Sequence, residues 1–361
     1  MEEKKFAFET GKVSIAFTLS YGLGDCIIAK KIFDAVTEIE PDCSIDIFYG
    51  EERHRTFAEA FYSDRHNLNG IFSQKIFYKN LVNNYDLSLS VAGGHFVRVK
   101  HIDSLNLKKK SPTLLDTVNK INKYNEKNFG KILNSMRFIA LRNMLAAQIL
   151  QKNFFYFLSC NNVLPLREDK PCLSLLPKYK HEFDKLNLGN YITIYTNIHE
   201  NNKNRPKIKT WSVSYLVEYI TLLKKHFPKI EIIQTGGEKD VKVENADRHF
   251  LGVDLELTKY ILANSLLHVG CEGGLIHLAT QLGTKCIVIF GPTSCIYYGY
   301  SQNINLSAKV CGPCIFILGN GGTKDCLRGF NKPPCMLSVT PQMVCDATCN
   351  YLNNLELKIN A

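Results

Sequence analysis

The sequence predicts an α/β protein of two doubly wound domains. Three observations point there. The chain has 361 residues, too many for one ordinary core and suited to two domains of about 150 residues each. Short apolar runs alternate with helical patterns in both halves. Glycine-bearing turns follow the apolar runs at Ser20–Gly24, Gly236-Gly237 and Gly273-Gly274, where a parallel sheet hands its chain to a helix.

In the first half Val13–Leu19 reads as a buried strand, the turn Ser20–Gly24 follows, and a helix runs from about Asp25 to Glu38. Ile45–Tyr49 is a second strand, and Asp86–Val91 a third that ends in Ala92-Gly93-Gly94. Strand, turn, helix and strand in this order predict a right-handed parallel unit. Residues 95–165 break the alternation: Arg98, Lys100 and Lys108–Lys110 make the stretch basic, and Lys131–Lys152 has a helical pattern. A solvated basic face and an acceptor-binding face both suit it.

Pro171 and Pro177 place the hinge near Asp169–Leu188. Beyond it Tyr191–Asn197 is a strand, and Ser212–His226 a helix that Ser212 can cap. Ile230–Thr235 is a strand, Leu255–Asn264 a helix, Leu266–Gly270 a strand, Leu275–Leu282 a helix and Cys286–Phe290 a strand. Domain limits of 1–170 and 171–340 follow, with 341–361 as a closing helix.

Apolar content of 45% with 22% charged residues describes a folded globular chain. The formal net charge of +10 favours acidic partners such as phosphorylated head groups, nucleotides or nucleic acid. The start Met-Glu-Glu-Lys-Lys lacks the pattern of a secretory signal, and no apolar run reaches the roughly 18 residues of a membrane span. The expectation is a cytoplasmic protein whose membrane contact, if any, is peripheral.

Candidate chemistry gathers at Val269–Ala279. A strand ends, Gly273 and Gly274 let a ligand approach the backbone, and a helix begins whose first N–H groups have no intrahelical partner. An anion fits there; an ordinary tight turn has the same pattern. Gly291-Pro292-Thr293 adds a second loop at the same sheet edge, where open α/β sheets bind ligands. Glu272 suits a hydroxyl or the orientation of the loop, and His277 in the first turn suits a ligand contact, a cap or the core. In the first half, Asp25 at a helix start can accept a proton from a positioned hydroxyl, and can equally cap the helix. Gly22-x-Gly24-x-x-Ile27 lacks the third glycine of a dinucleotide-binding turn, which disfavours the alternative of an NAD-dependent oxidoreductase.

The pattern Glu272-Gly273-Gly274-x-x-His277-Leu278-Ala279, with Leu282-Gly283 and Phe290-Gly291-Pro292-Thr293, resembles the signature of glycosyltransferase family nine. These are the ADP-heptose:lipopolysaccharide heptosyltransferases, and the resemblance implies their GT-B fold of two Rossmann-like domains facing a cleft, with the closing helix 341–361 crossing back to the first domain. The family usually has Asp-Ser/Thr-Gly where this chain has Glu272-Gly273-Gly274, so the charge is kept and the hydroxyl is lost. Ser20–Asp25 is similar to the family's Gly-Asp loop, which makes Asp25 the general base. Lys209-Thr210-Trp211 is similar to its Lys-x-Trp, which sets Lys209 on the donor's phosphate, with Lys203, Arg205 and Lys207 close by in sequence. The donor set that the resemblance implies is Gly24, Thr196, Glu238, Glu272, Gly273, Gly274, His277 and Thr293, with Glu238 at a ribose hydroxyl. The implied reaction is inverting transfer of a heptose from ADP-heptose to a lipopolysaccharide or lipooligosaccharide core or a protein hydroxyl, without a catalytic divalent metal.

The chain has 13 cysteines, and Cys311, Cys314, Cys326, Cys335, Cys345 and Cys349 all follow Val310. The first four are spaced C-x2-C-x11-C-x8-C, which suits a tetrahedral structural site for zinc or iron. The cluster is similar to the four-Cys iron finger of autotransporter heptosyltransferases. Cys345 and Cys349, four apart, are expected to pack. A basic protein with such a knuckle could bind nucleic acid, but the basic residues are spread along the chain and no basic-aromatic interleaving accompanies it.

Overall fold

The computed structural model describes residues 11–75, 82–93, 95–196, 198, 207–317 and 326–359. The chain forms two compact units. The first holds residues 1–139 and 154–167, the second residues 140–153 and 168–361. The boundary at Arg167 and Glu168 lies just before the predicted hinge.

The first unit is built on β1 (Ser14–Leu19), β2 (Ser44–Tyr49), β3 (Leu68–Ser73), β4 (Leu87–Ala92) and β5 (Phe96–Ile102), in the order β3-β2-β1-β4-β5. All neighbours are parallel except β4 and β5. β1 is buried at every position because helices cover both faces, so its sequence SIAFTL is an apolar run and not an alternation. α1 (Leu23–Ile39) and α2 (Glu52–Tyr62) flank the sheet. The basic stretch after β5 is helical. Ser111 caps α3 (Pro112–Phe129), accepting from the Leu114 N–H, and Pro112 occupies the first turn, where its missing donor costs nothing. Leu114, Val118, Ile121, Asn125 and Phe129 recur every three or four residues along its buried face.

The second unit is a parallel sheet of β6 (Tyr191–Ile194), β7 (Glu231–Gly236), β8 (Arg248–Leu251), β9 (Leu267–Cys271), β10 (Cys286–Phe290) and β11 (Ile304–Ser307), in the order β11-β10-β9-β6-β7-β8. This is the doubly wound order, and the winding reverses between β6 and β9. Ile192, Ile194, Val269, Ile287 and Ile289 pack against Trp211, Tyr219, Leu223, Val339, Val344 and Leu352 in one core. The helices of this unit include α4 (Met136–Leu150), which begins in the first unit and continues in the second, and α5 (Val213–His226). α6 (Leu255–Ala263), α7 (Gly274–Gln281) and α8 (Pro341–Ile359) join them, with shorter helices at Lys180–Asp184, Cys295–Tyr298 and Pro334–Leu337.

The predicted order of β1, α1, β2, β4, β6, α5, β7, α6, β9, α7 and β10 stands, with ends shifted by a residue or a few. Asn197 and Gly94, at the ends of two predicted strands, lie outside the described residues. α8 is grouped with the second unit and lies along α5, where the Tyr219 and Thr348 hydroxyls meet at 3.1 Å. The strands β3, β5, β8 and β11 are additions to the sequence reading. No described helix is long and apolar enough to cross a membrane.

Candidate active site

The reversal of winding in the second unit sets the ends of β6 and β9 side by side, with Ile194 paired to Val269. A crevice opens at such a point because the chains leave in opposite directions. β6 delivers Tyr195 and Thr196 there, and β9 delivers Glu272 and Gly273. Gly273 precedes α7 in an extended conformation and offers no side-chain cap, so the helix start is closed by backbone alone. A Cβ at Gly270 would lie 3.1 Å from the Tyr195 ring, and one at Gly273 would lie 3.4 Å from the Tyr195 hydroxyl. The tyrosine therefore lies across the loop, and the small residue at 270 admits it.

Lys209, Glu272, His277 and Thr293 come together here. The Lys209 Nζ lies 2.5 Å from a Glu272 carboxylate oxygen. Glu272 is 7% exposed, and burial alone would raise its pKa. The Lys209 ammonium beside it outweighs that, with help from His277 and from the Thr293 hydroxyl, so the carboxyl is held below its usual range. His277 is pushed down to about 4, first by burial, against the pull of Glu272 and with the push of Lys209, so its imidazole is neutral at pH 7. Its Nδ1 meets the Tyr300 hydroxyl at 2.7 Å.

Lys209 owes its place to its neighbour. It ends a single helical turn, Lys207–Lys209, and Trp211 two residues on is buried and donates its indole N–H to the Val339 carbonyl at 2.9 Å. The tryptophan that marked the motif is thus an anchor in the core. Lys203 and Arg205 lie outside the described residues. Thr196 is buried two residues past the end of β6. Glu238 sits apart, exposed in the turn after β7, which the Asp240 carboxylate closes by accepting the Gly237 N–H at 2.8 Å. Gly252 makes room for it: its φ is +69°, and a Cβ there would lie 2.6 Å from the Cβ of Glu238.

In the first unit the winding reverses between β1 and β4, and the loop Ser20–Gly24 leaves at that point with Gly24 and Asp25 half-buried in the first turn of α1. An Asp25 carboxylate oxygen accepts the Gly22 N–H at 2.9 Å, so the residue caps the helix. Tyr21 takes φ of +76°, an uncommon conformation for a non-glycine residue. Buried His54 holds it: Nδ1 accepts the Glu51 N–H at 3.0 Å, which leaves the proton on Nε2 to donate to the Tyr21 carbonyl at 2.6 Å.

No protein-family model and no curated protein matches the sequence. Solved structures do. ADP-heptose lipopolysaccharide heptosyltransferase II of E. coli is 15% identical, with a TM-score of 0.56 over 97% of this chain and 100% of its own. A family 9 glycosyl transferase from Veillonella parvula is 12% identical, with a TM-score of 0.57 over 96% of this chain and 99% of its own. The iron-containing heptosyltransferase TibC, solved with ADP-D-beta-D-heptose, is 12% identical, with a TM-score of 0.59 over 95% of this chain and 78% of its own. The chain has the heptosyltransferase fold.

That GT-B frame carries one further cluster. In the second unit Cys335 is pushed up to about 11 by burial first and then by the neighbouring Cys311, Cys314 and Cys326 thiols. Cys314 is raised by burial, Cys326 and Cys311, while the Leu327 N–H pulls it back. Four thiols, three of them accepting an N–H (Cys314 from Leu327, Cys335 from Met336 and Cys311 from Arg328), suit a thiophilic metal by chemistry. The spacing is not that of a closed site, because the one group of three or more candidate ligand atoms mutually within 4.8 Å among the described residues lies elsewhere. The cluster is joined to the site. The Pro292 carbonyl accepts the Cys314 and Ile315 N–H groups at 2.9 and 3.1 Å, and Gly291 admits the side chains of Cys335 and Met336 against the loop that carries Thr293.

Within this fold Tyr195, Tyr300 and His54 join the predicted residues. Nothing in their local sequence announces them, because the partners that give them a place here, Gly270 and Gly273 for Tyr195, His277 for Tyr300 and the Tyr21 carbonyl for His54, lie several turns of chain away. Cys345 was expected to pack, and it is fully buried. Cys349 is half-exposed, and the two sulfurs lie 3.9 Å apart.

Proposed function

We propose that this protein is an inverting glycosyltransferase that moves a heptose from ADP-heptose to a hydroxyl of an acidic glycolipid or a protein. One observation carries the reading: a lysine, held by a buried carboxylate, stands at the uncapped start of α7 on the winding reversal of a heptosyltransferase fold. The solved ADP-D-beta-D-heptose complex of TibC supplies the donor class.

The acceptor hydroxyl gives its proton to the Asp25 carboxylate as its oxygen attacks the anomeric carbon. The bond from that carbon to the phosphate oxygen breaks on the opposite face, and its electron pair leaves on ADP. Lys209 and the first N–H groups of α7 meet the charge that develops on the diphosphate, a role best filled by groups already oriented. Neutral His277, with Tyr300 donating to Nδ1, turns an Nε2–H toward its surroundings as a donor. Thr196, Glu238 and Thr293 complete the donor set, with Glu238 at the ribose. Lys209 neutralises the leaving group, so transfer needs no divalent cation. A zinc or iron ion on Cys311, Cys314, Cys326 and Cys335 would draw the sulfurs together and stiffen the loop bearing Thr293. The charge of +10 suits an acidic acceptor at a membrane surface in the cytoplasm.

Calorimetry with ADP and ADP-heptose tests the donor site. Binding is expected, and Lys209→Ala should weaken it by about 10- to 100-fold, the loss of one charge-assisted contact of 1.5–3 kcal/mol. Absence of binding, or binding that Lys209→Ala leaves unchanged, refutes the placement. A panel of nucleotide sugars then checks the choice of donor.

A further inference from the structure

His226, Cys345 and Cys349 have no part in the chemistry above, yet they are placed as metal ligands are. His226 is the last residue of α5, and the two cysteines stand one turn apart on α8. One ligand atom from each residue lies within 4.8 Å of the other two. The sulfurs are 3.9 Å apart, close to the roughly 3.8 Å that two thiolates span on a tetrahedral ion with bonds of about 2.3 Å. A disulfide would need the Cβ atoms within about 4.5 Å, and residues one helical turn apart keep theirs at about 5–6 Å. The pair can share an ion more readily than a bond.

The frame around them is firm. The Tyr219 and Thr348 hydroxyls meet at 3.1 Å between the same two helices, and Leu223 and Leu352 are buried in the same core. Ligands carried on packed helices keep their geometry without a metal. Cys345 is fully buried, Cys349 half-exposed and His226 exposed, so the three form a graded entry from solvent.

We propose that His226, Cys345 and Cys349 bind one zinc(II) ion, with water in the fourth position. Two thiolates and an imidazole select a borderline-soft ion over magnesium or calcium. Binding converts two thiols to thiolates, and the two protons pass to solvent. The ion ties the end of α5 to α8, and it is separate from the four-cysteine cluster.

The test uses the full chain, reduced, stripped of metal and titrated with zinc, with the bound metal counted by mass spectrometry. Cys345→Ala with Cys349→Ala is expected to lose one zinc per chain relative to the unaltered protein, whereas Cys311→Ser with Cys314→Ser retains that zinc. In the Cys311→Ser, Cys314→Ser background, calorimetry in two buffers should show about two protons released per zinc. His226→Ala should weaken this zinc at least tenfold, and its exposed position keeps the variant folded should the cysteine variant not be. An unchanged zinc count in a folded Cys345→Ala, Cys349→Ala protein overturns the proposal. So does an unchanged affinity in His226→Ala.

Discussion

Lys209 has two partners to satisfy, Glu272 in the free protein and a diphosphate in the proposed complex. Removing the lysine strands a carboxylate that is 7% exposed, so Lys209→Ala should lower stability by about 3–5 kcal/mol as well as weaken ADP. The two effects separate in a double variant. Lys209→Met with Glu272→Gln should recover most of the thermal stability and none of the nucleotide affinity, measured by melting and calorimetry. A variant that regains affinity would show that Lys209 serves the fold alone. Gly273 offers the opposite experiment. Its extended backbone suits any residue, and its Cβ position lies 3.4 Å from the Tyr195 hydroxyl. Gly273→Ser should therefore change stability by less than about 1 kcal/mol and tighten ADP, since a hydroxyl at a helix start can meet a phosphate. If Asp25 is the base, Asp25→Asn should reduce transfer by about 10²- to 10⁴-fold. Near-normal transfer would leave Asp25 as a helix cap only.

The elements that carry the site were legible where the chain is buried on both faces. β1, β9 and β10 are buried at every position and mostly apolar, and each is followed by a turn whose glycines mark the handover to the next element. β3, β8 and β11 escaped because they lie toward the sheet edges, where burial is partial and their sequences LNGIFS, RHFL and INLS carry little pattern. β5 escaped because its basic residues Arg98 and Lys100 read as solvated loop. The Lys-x-Trp spacing located Lys209, but the tryptophan's own task, a hydrogen bond to Val339 over a hundred residues away, cannot be seen in a local pattern. Trp211→Phe should cost about 1–3 kcal/mol by leaving that carbonyl unmet, and a fall in ADP affinity beside it would show that the anchor positions Lys209. Gly252→Ala is predicted to be worse than most surface changes. It forces φ of +69° on a residue with a Cβ and drives that Cβ against Glu238, and thermal melting will show the loss.

Stability of the whole chain should depend on acid. His268 and His277 are both driven down by burial, to about 3 and about 4 from the ordinary 6.5. Between those values the unfolded chain takes up protons that the folded chain refuses. Stability is then complete above about pH 6.5 and is lost as pH falls toward the folded values. Glu272, held low, adds a loss of the same sign below its ordinary 4.5. Melting temperature should drop through this window, and His277→Gln should flatten the drop; an equal slope in the variant would remove His277 from the account. A different property follows from α4, which starts in one unit and passes into the other at residue 140. The Gln148 amide donates to the Ser294 hydroxyl at 2.5 Å beside the loop that bears Thr293. A cut at residue 167 would give a tail piece without its own Ala140–Asn153, so the chain does not divide into two autonomous parts at its apparent joint. During synthesis that segment leaves the ribosome well before β6 to β11 exist, and it waits without its partners. Moving 140–153 to the far end of residue 361, as a permuted sequence, would show whether the second unit can close by itself.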